Sequence, residues 1–290
     1  MMERAIGQVS APDRIGVEVA RAVQSAVAPD TVILFGSRAR GDHRPNSDVD
    51  LLIISESGPS AGRGLATRVA REYFRDHPPR LRVDVVTMDA RTFNYCRRAK
   101  NHVAAQAMRD GVLMSDENLD LSGAYEDGYP DSWPDVKERL QAAYRHMRAF
   151  NRLVDFDDSD QEMYGFHAQQ AVENAIKAWL SAAGLEYRAV HDLREVASQI
   201  LGDPAEANTL AAAQLRLLIN YTSFPNAGYA GGPDNWLTLY AVNYRYSGTA
   251  FRMNDVDRDR FREEINLAVG TFINRSYELT GTSEADVTQG

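Results

Sequence analysis

The stretch that most constrains this chain runs from Thr31 to Ile54, TVILFGSRARGDHRPNSDVDLLII, because it joins an abrupt glycine turn to two closely spaced carboxylates. Val32, Ile33, Leu34 and Phe35 form an apolar run of strand length that stops at Gly36, where the backbone can turn without a side-chain clash. Good helix formers follow Ser37. They predict a short helix whose first N–H groups and the Ser37 hydroxyl point above the strand end, and phosphate is the natural occupant of such a place. After the turn-rich residues 41–47, Asp48-Val-Asp-Leu-Leu-Ile-Ile opens a second strand, whose period of two puts Asp48 and Asp50 on one face.

Like charges held so close raise each other's pKa unless a cation lies between them. Hard oxygen donors on a short spacing suit magnesium, which takes one or two protein carboxylates and fills its shell with substrate phosphates and water. A third carboxylate, Asp84, lies in the alternating run Leu81-Arg-Val-Asp-Val-Val86, on the face opposite Val83 and Val85. If that strand lies beside the second, Asp84 completes a triad. An isolated Asp-x-Asp is more often a solvated strand edge; the ten-residue spacing from Gly36-Ser37 to Asp48 reverses that reading.

The combination of Phe35-Gly36-Ser37, ten residues, Asp48-Val49-Asp50 and the later Val83-Asp84-Val85 resembles the nucleotidyltransferase superfamily of the DNA polymerase beta type, especially its small bacterial members. The resemblance spans roughly residues 12–115. It implies transfer of a nucleoside monophosphate from a triphosphate, with ATP the expected donor, to a hydroxyl acceptor, with pyrophosphate leaving and two magnesium ions at the reacting phosphate. In that scheme Asp48 and Asp50 hold both metals, and Asp84 ligates the metal on the nucleophile side and takes the acceptor's proton. Gly36, Ser37 and Ser47 belong to the nucleotide site. Arg38, Arg40 and Arg44 are the residues expected to neutralise phosphate charge, Arg40 foremost because the family's short helix carries its arginine there.

The rest of the chain divides in two. Helical spacing over residues 13–28 and 61–76 alternates with the three strands, helical material follows from Ala90 to Arg109, and Val112 begins a last short strand, so this half is α/β. Residues 116–134 turn acidic and rich in Gly, Ser and Pro, a linker composition. Beyond them the periodicity is helical almost throughout, including a helix over 204–221, which predicts a bundle. The expected plan is an α+β chain of two domains: 1–115 with a small mixed sheet, a linker over 116–134, an antiparallel helical bundle over 135–280, and a frayed tail over 281–290. Tyr221 to Trp236 reads as a long glycine-rich, aromatic loop suited to a substrate lid.

The helical half carries a resemblance of its own. Tyr164-Gly-Phe-His-Ala-Gln-Gln-Ala-Val-Glu-Asn-Ala-Ile-Lys-Ala-Trp-Leu180, then Gly184 and His191-Asp-Leu-Arg-Glu195, look like the HEPN domain, a nucleotide-binding helical module found beside minimal nucleotidyltransferases. Asn243-Tyr-Arg-Tyr-Ser247 resembles that family's Arg-Tyr-Pro segment, with Ser247 replacing proline. His167, Gln170, Glu173 and Lys177 recur at helical intervals, so one face of the helix is polar. It either lines a site, with Glu173, His167 or Glu162 on the acceptor side, or ties the bundle together as a satisfied network. Some HEPN domains cut RNA with an arginine and a histidine a few residues apart on a late helix. Here Arg275 is followed by Ser276, Tyr277, Glu278, Leu279 and Thr280, which removes the obvious acid-base group.

Composition narrows the setting. The single Cys96 excludes an internal disulfide and favours a reducing compartment, no long apolar run is present, and the chain is expected in the cytoplasm. A net charge of −9 disfavours broad binding to nucleic acid. The same architecture resembles aminoglycoside nucleotidyltransferases, which implies a homodimer and a small cationic acceptor. A protein-adenylylating regulator of the toxin–antitoxin type and a non-catalytic nucleotide sensor are the other two classes compatible with these motifs.

Overall fold

Asp13 starts the first helix: its carboxylate accepts from the backbone N–H of Gly16 at 2.9 Å, capping α1, Arg14–Val27. The computed structural model describes residues 11–28, 30–55, 62–115, 127–154, 161–187, 190–219 and 258–288, with side chains of residues 161, 162 and 258 left aside. The chain divides into two compact units, Met1–Gly128 and Tyr129–Gly290.

In the first unit β1 (Thr31–Phe35) runs into α2 (Gly36–Arg40), followed by β2 (Val49–Ser55), α3 (Arg63–Asp76) and β3 (Val83–Asp89). The helical stretch after β3 is two helices, α4 (Ala90–Cys96) and α5 (Val103–Asp110), rather than one. Two separate caps explain the break: Asp89 accepts from Thr92 N at 2.7 Å, and His102 Nδ1 accepts from Ala104 N at 3.1 Å. The short β4, Val112–Leu113, closes a four-stranded mixed sheet in the order β3-β2-β1-β4. β1 pairs antiparallel with β2 and β4, while β2 and β3 run parallel.

Strand alternation divides the core. Val49, Leu51 and Ile53 pack with Val19 and Val23 of α1 and Ala66, Ala70 and Phe74 of α3. Leu52, Ile54 and Met88 pack with Phe93 of α4 and Ala104 and Ala107 of α5. Helices on both faces therefore bury the sheet and fix its strand ends, which is where the candidate site forms.

The second unit is helical: α6 (Trp133–Val154), α7 (Gln161–Ala182), α8 (Leu193–Gly202), α9 (Leu210–Ile219), α10 (Arg258–Thr280) and α11 (Glu284–Thr288). Phe150 meets Phe261 edge-on at 5.4 Å between ring centroids, and Trp179 stacks on Phe272 at 5.8 Å. Two expectations need correction. Residues 204–209 form turns ahead of α9, because the Asp203 carboxylate accepts from Ala205 N and Glu206 N at 2.9 and 3.1 Å and ends the preceding helix. The expected frayed tail folds as α11, with Val287 buried and its carbonyl accepting from Gln141 at 3.1 Å. The lid expected over Tyr221–Trp236, the Asn243–Ser247 segment and the side chain of Glu162 lie outside the described residues.

Candidate functional site

Strand register assembles the site. Phe35 lies opposite Asp50, and Asp50 lies opposite Asp84, so three neighbouring strands bring their matching positions together at one end of the sheet. Asp50 shares its face with Leu52 and Ile54, and Asp84 shares the same face with Val86 and Met88. Asp48 lies one residue before β2 and is half-buried. Gly36 is required here twice over. Its φ of +74° is a left-handed conformation, and a Cβ at this position would collide with the Asp50 carboxylate.

The three carboxylates accept no hydrogen bond and form no ion pair among the described residues; Asp48 and Asp50 are half-buried and Asp84 is exposed. Burial pushes the Asp50 carboxyl up to about 6, with the charges of Asp84 and Asp48 adding to the effect and those of Arg40 and Arg38 opposing it. This is a donor set that a hard divalent cation would relieve. Among the described residues no group of three His, Cys, Asp or Glu side chains could by itself hold a metal ion. Magnesium is usually held by one or two protein carboxylates and completed by phosphate oxygens and water, a mode that needs no closed protein cage.

The residues expected to meet phosphate separate into two groups. Ser37, at the start of α2, is half-buried and its hydroxyl makes no hydrogen bond to the described residues. Arg40 is half-exposed and shared between Asp42 at 3.1 Å and Asp110 at 3.4 Å. Arg38, in contrast, is buried and turned inward. It pairs with Asp13 at 2.5 Å and donates to the carbonyls of Ser47 and Pro45 at 2.9 and 3.2 Å. Ser47 is likewise engaged, its hydroxyl accepting from Arg44 N at 3.0 Å while its own N–H donates to Arg44 O. Arg38, Arg44 and Ser47 thus hold the loop between α2 and β2, and of these three only Arg44 is exposed.

The polar face of α7 points into a closed network. Glu173 is buried and receives Lys177 Nζ and Gln169 Nε2 at 2.7 Å each, with His191 Nδ1 at 3.0 Å from one carboxylate oxygen. Burial alone would raise the Glu173 carboxyl; the His191 hydrogen bond and the Lys177 charge overcome it and hold it at about 2. Both Glu173 carboxylate oxygens are engaged by its own chain, so in this arrangement the group serves the network. His167 sits Nδ1 to Nδ1 against His146 at 2.8 Å, and burial lowers the pKa of both rings, that of His146 to about 4.

Two pairings escaped the sequence reading. Asp13 anchors Arg38 across twenty-five positions, signalled only by its helix-cap position after Pro12. Arg275 grips Glu206 through Nε and Nη2, each at 2.9 Å, and Glu206 also accepts from Trp179 Nε1 at 2.8 Å. The arginine of the late helix is therefore committed to holding α10 against the turn before α9.

The comparison with protein families agrees with this division. Residues 17–110 match the model of the nucleotidyltransferase domain, and residues 136–270 match that of the HEPN domain. The chain is a nucleotidyltransferase domain followed by a HEPN domain. No curated protein and no solved structure was found to match it. The Gly36 turn and all three strand-end carboxylates fall inside the nucleotidyltransferase domain, and the Glu173 network falls inside the HEPN domain. Among the described residues no helix is long and apolar enough to cross a membrane.

Proposed function

We propose that the nucleotidyltransferase domain moves a nucleoside monophosphate, AMP from ATP in the first instance, onto a hydroxyl acceptor and releases pyrophosphate. The observation that carries the reading is the Asp50–Asp84 register beside the Gly36 turn, where three carboxylates converge with no protein partner. Asp48, Asp50 and Asp84 would hold magnesium, two ions in the fullest form, which when bound would polarise the α-phosphoryl group and stabilise the departing pyrophosphate. Asp84, exposed on the edge strand, is the residue assigned to receive the acceptor's proton. The acceptor oxygen bonds to the α-phosphorus as the bond to the pyrophosphate oxygen breaks, and that oxygen keeps the electron pair.

Gly36 and Ser37 orient the β- and γ-phosphates, the serine through its hydroxyl and the backbone through the N–H groups after the turn. Arg40 supplies positive charge at the rim, and its field already reaches Asp50. Arg38, with Asp13, keeps the loop carrying Ser47 and Asp48 in place. The HEPN domain is assigned a supporting and not an RNA-cutting role, because Arg275 is paired with Glu206 and no histidine follows it on α10. A homodimer in a reducing compartment completes the reading, on the strength of the resemblances and of the single cysteine.

The test incubates the protein with magnesium and α-labelled ATP, alone, with cell extract and with an aminoglycoside panel, beside Asp50→Asn. Label transfer that disappears in the variant supports the transferase and reveals the acceptor class. Tight ATP binding with no transfer under any condition overturns it in favour of a nucleotide sensor.

A further inference from the structure

Asp110 has no part in the chemistry above, yet the fold places it tightly. It is the last residue of α5, and Gly111 follows it with no room for a side chain: a Cβ there would collide with the Ala107 carbonyl oxygen and the Ile33 side chain. The chain is therefore pressed against β1, and Val112 and Leu113 pair at once with Leu34 and Ile33. This seats the Asp110 carboxylate beside α2, although seventy positions separate it from Arg40. Its side chain is 17% exposed, and its two oxygens are divided. Oδ1 accepts from Arg109 Nε at 3.0 Å, and Oδ2 accepts from Arg40 Nη1 at 3.4 Å. Arg40 in turn donates from Nε to Asp42 at 3.1 Å. Asp42 is exposed and only two residues on, whereas Asp110 reaches Arg40 from a separate element braced by the sheet.

We propose that Asp110 is a positioning residue for the triphosphate, holding the Arg40 guanidinium so that its open edge meets the phosphates; the inference rests on the nucleotidyl-transfer reading and adds a residue to it. A guanidinium carries five N–H donors in one rigid plane. Asp42 takes the donor on Nε and Asp110 takes one on Nη1, which leaves the other on Nη1 and both on Nη2. One donor from each of those nitrogens forms the outer edge that grips a phosphate bidentately. The edge is reachable, because Arg40 is half-exposed, and its charge already acts on Asp50 at the strand end beside Gly36. Stability does not account for the arrangement, since ion pairs with this much exposure contribute little to folding. Two carboxylates on different edges of one guanidinium instead fix a long side chain in a single orientation before the triphosphate arrives. Arg109, on the other oxygen of Asp110, offsets the remaining negative charge, so the brace does not set a bare carboxylate near incoming phosphates.

The experiment titrates the full chain with magnesium and a fluorescent ATP analogue, using inorganic tripolyphosphate and adenosine as competitors. It compares the wild-type chain with Asp110→Asn, Asp110→Glu, Arg40→Ala and Arg40→Ala/Asp110→Asn. Asp110→Asn keeps the shape and removes the charge; Asp110→Ser is run beside it so that the comparison does not depend on one substitution folding, and thermal melts verify each variant. Asp110→Asn is expected to weaken the ATP analogue and tripolyphosphate by the same factor, about five- to tenfold, with competition by adenosine unchanged. Asp110→Glu should recover most of the loss. In the Arg40→Ala background the Asp110 change should add nothing, whereas a merely structural role would weaken binding there as well. Unchanged affinity in a folded Asp110→Asn, or a loss that persists in the Arg40→Ala background, overturns the positioning role. So does tighter binding, which would mark Asp110 as a competitor of phosphate for Arg40. In each of those cases magnesium-dependent binding of the ATP analogue by the wild-type chain leaves the transferase reading standing; a wild-type chain that binds neither the analogue nor tripolyphosphate sinks that reading and this assignment together.

Discussion

Asp50 and Glu173 are both acidic residues set among apolar neighbours, yet their surroundings push them in opposite directions. Burial pushes the Asp50 carboxyl up, the two carboxylates beside it add to the effect with no bonded counter-charge to offset them, and the group is raised to about 6. Glu173 has Lys177, Gln169 and His191 within hydrogen-bonding distance and titrates at about 2. A network closed by its own chain contributes to folding, whereas a cluster left unclosed holds back electrostatic energy that a cation and phosphates can release on binding. The contrast separates a residue type from a role: what matters is whether the protein itself supplies the counter-charge.

The largest effect that would break this contrast is on activity. Asp50→Asn should lower transfer about a thousandfold or more, since it removes charge from the metal-bearing cluster, which is a loss of roughly 4 kcal/mol in transition-state stabilisation. The same substitution should stabilise the metal-free fold, by on the order of 1 kcal/mol once partial exposure is allowed for. The sign follows from linkage. With its carboxyl raised from 3.8 to about 6, the folded chain keeps a proton that the unfolded chain releases, so stability falls as pH rises through that window. Thermal melts in chelator across pH check this; a variant less stable than the wild-type chain at neutral pH would mean that Asp50 has a protein partner after all.

Glu173→Ala should do the reverse, with loss of stability coming first. It strands the Lys177 ammonium in a buried position and should cost about 3–5 kcal/mol in urea unfolding of the helical unit. Glu173→Leu/Lys177→Leu, which removes both charges, should recover most of the loss. If the single and double variants are equally unstable, packing and not charge pairing sustains that face of α7. A smaller effect is expected at Arg38, which belongs to the first unit but behaves like the residues of the second. Arg38→Met removes the partner that, with the Gly16 N–H, holds Asp13 ionised against the cost of burial, and should destabilise by about 2–3 kcal/mol. The Asp13 carboxyl is lowered in the fold, so this contribution is complete above about pH 4 and fades as pH drops further.

How much of this could be read in the sequence depended on separation along the chain. Gly36, Asp48 and Asp50 lie within fifteen residues, and the turn and the period of two dictate their meeting. Asp84 needed only one further strand beside β2. Arg38 misled because its neighbours in sequence suggest phosphate, while its partner Asp13 comes from before the first helix. Glu206 and Arg275 are sixty-nine positions apart, and no local pattern joins them. The α7 face was visibly polar, but whether such a face lines a site or closes on itself depends on the loop carrying Val190 and His191, whose carbonyl and ring complete the network.

The smallest expected effect probes a pair that belongs to neither extreme. His146 and His167 face each other Nδ1 to Nδ1 at 2.8 Å, and burial first, then the neighbouring ring, lowers the pKa of His146 to about 4. An imidazole lowered in the fold leaves the unfolded chain to bind the proton first, so stability of the helical unit should rise with pH between about 4 and the ordinary histidine range. Between about pH 7.5 and about pH 5 the loss should be about 1 kcal/mol, because both rings are partly exposed and solvent screens the penalty. His146→Phe, which keeps the ring contact with Phe166, should flatten that dependence without touching transfer. If it abolishes transfer while the fold is intact, the pair acts on the reaction and the division between a satisfied helical network and an open carboxylate cluster has to be redrawn.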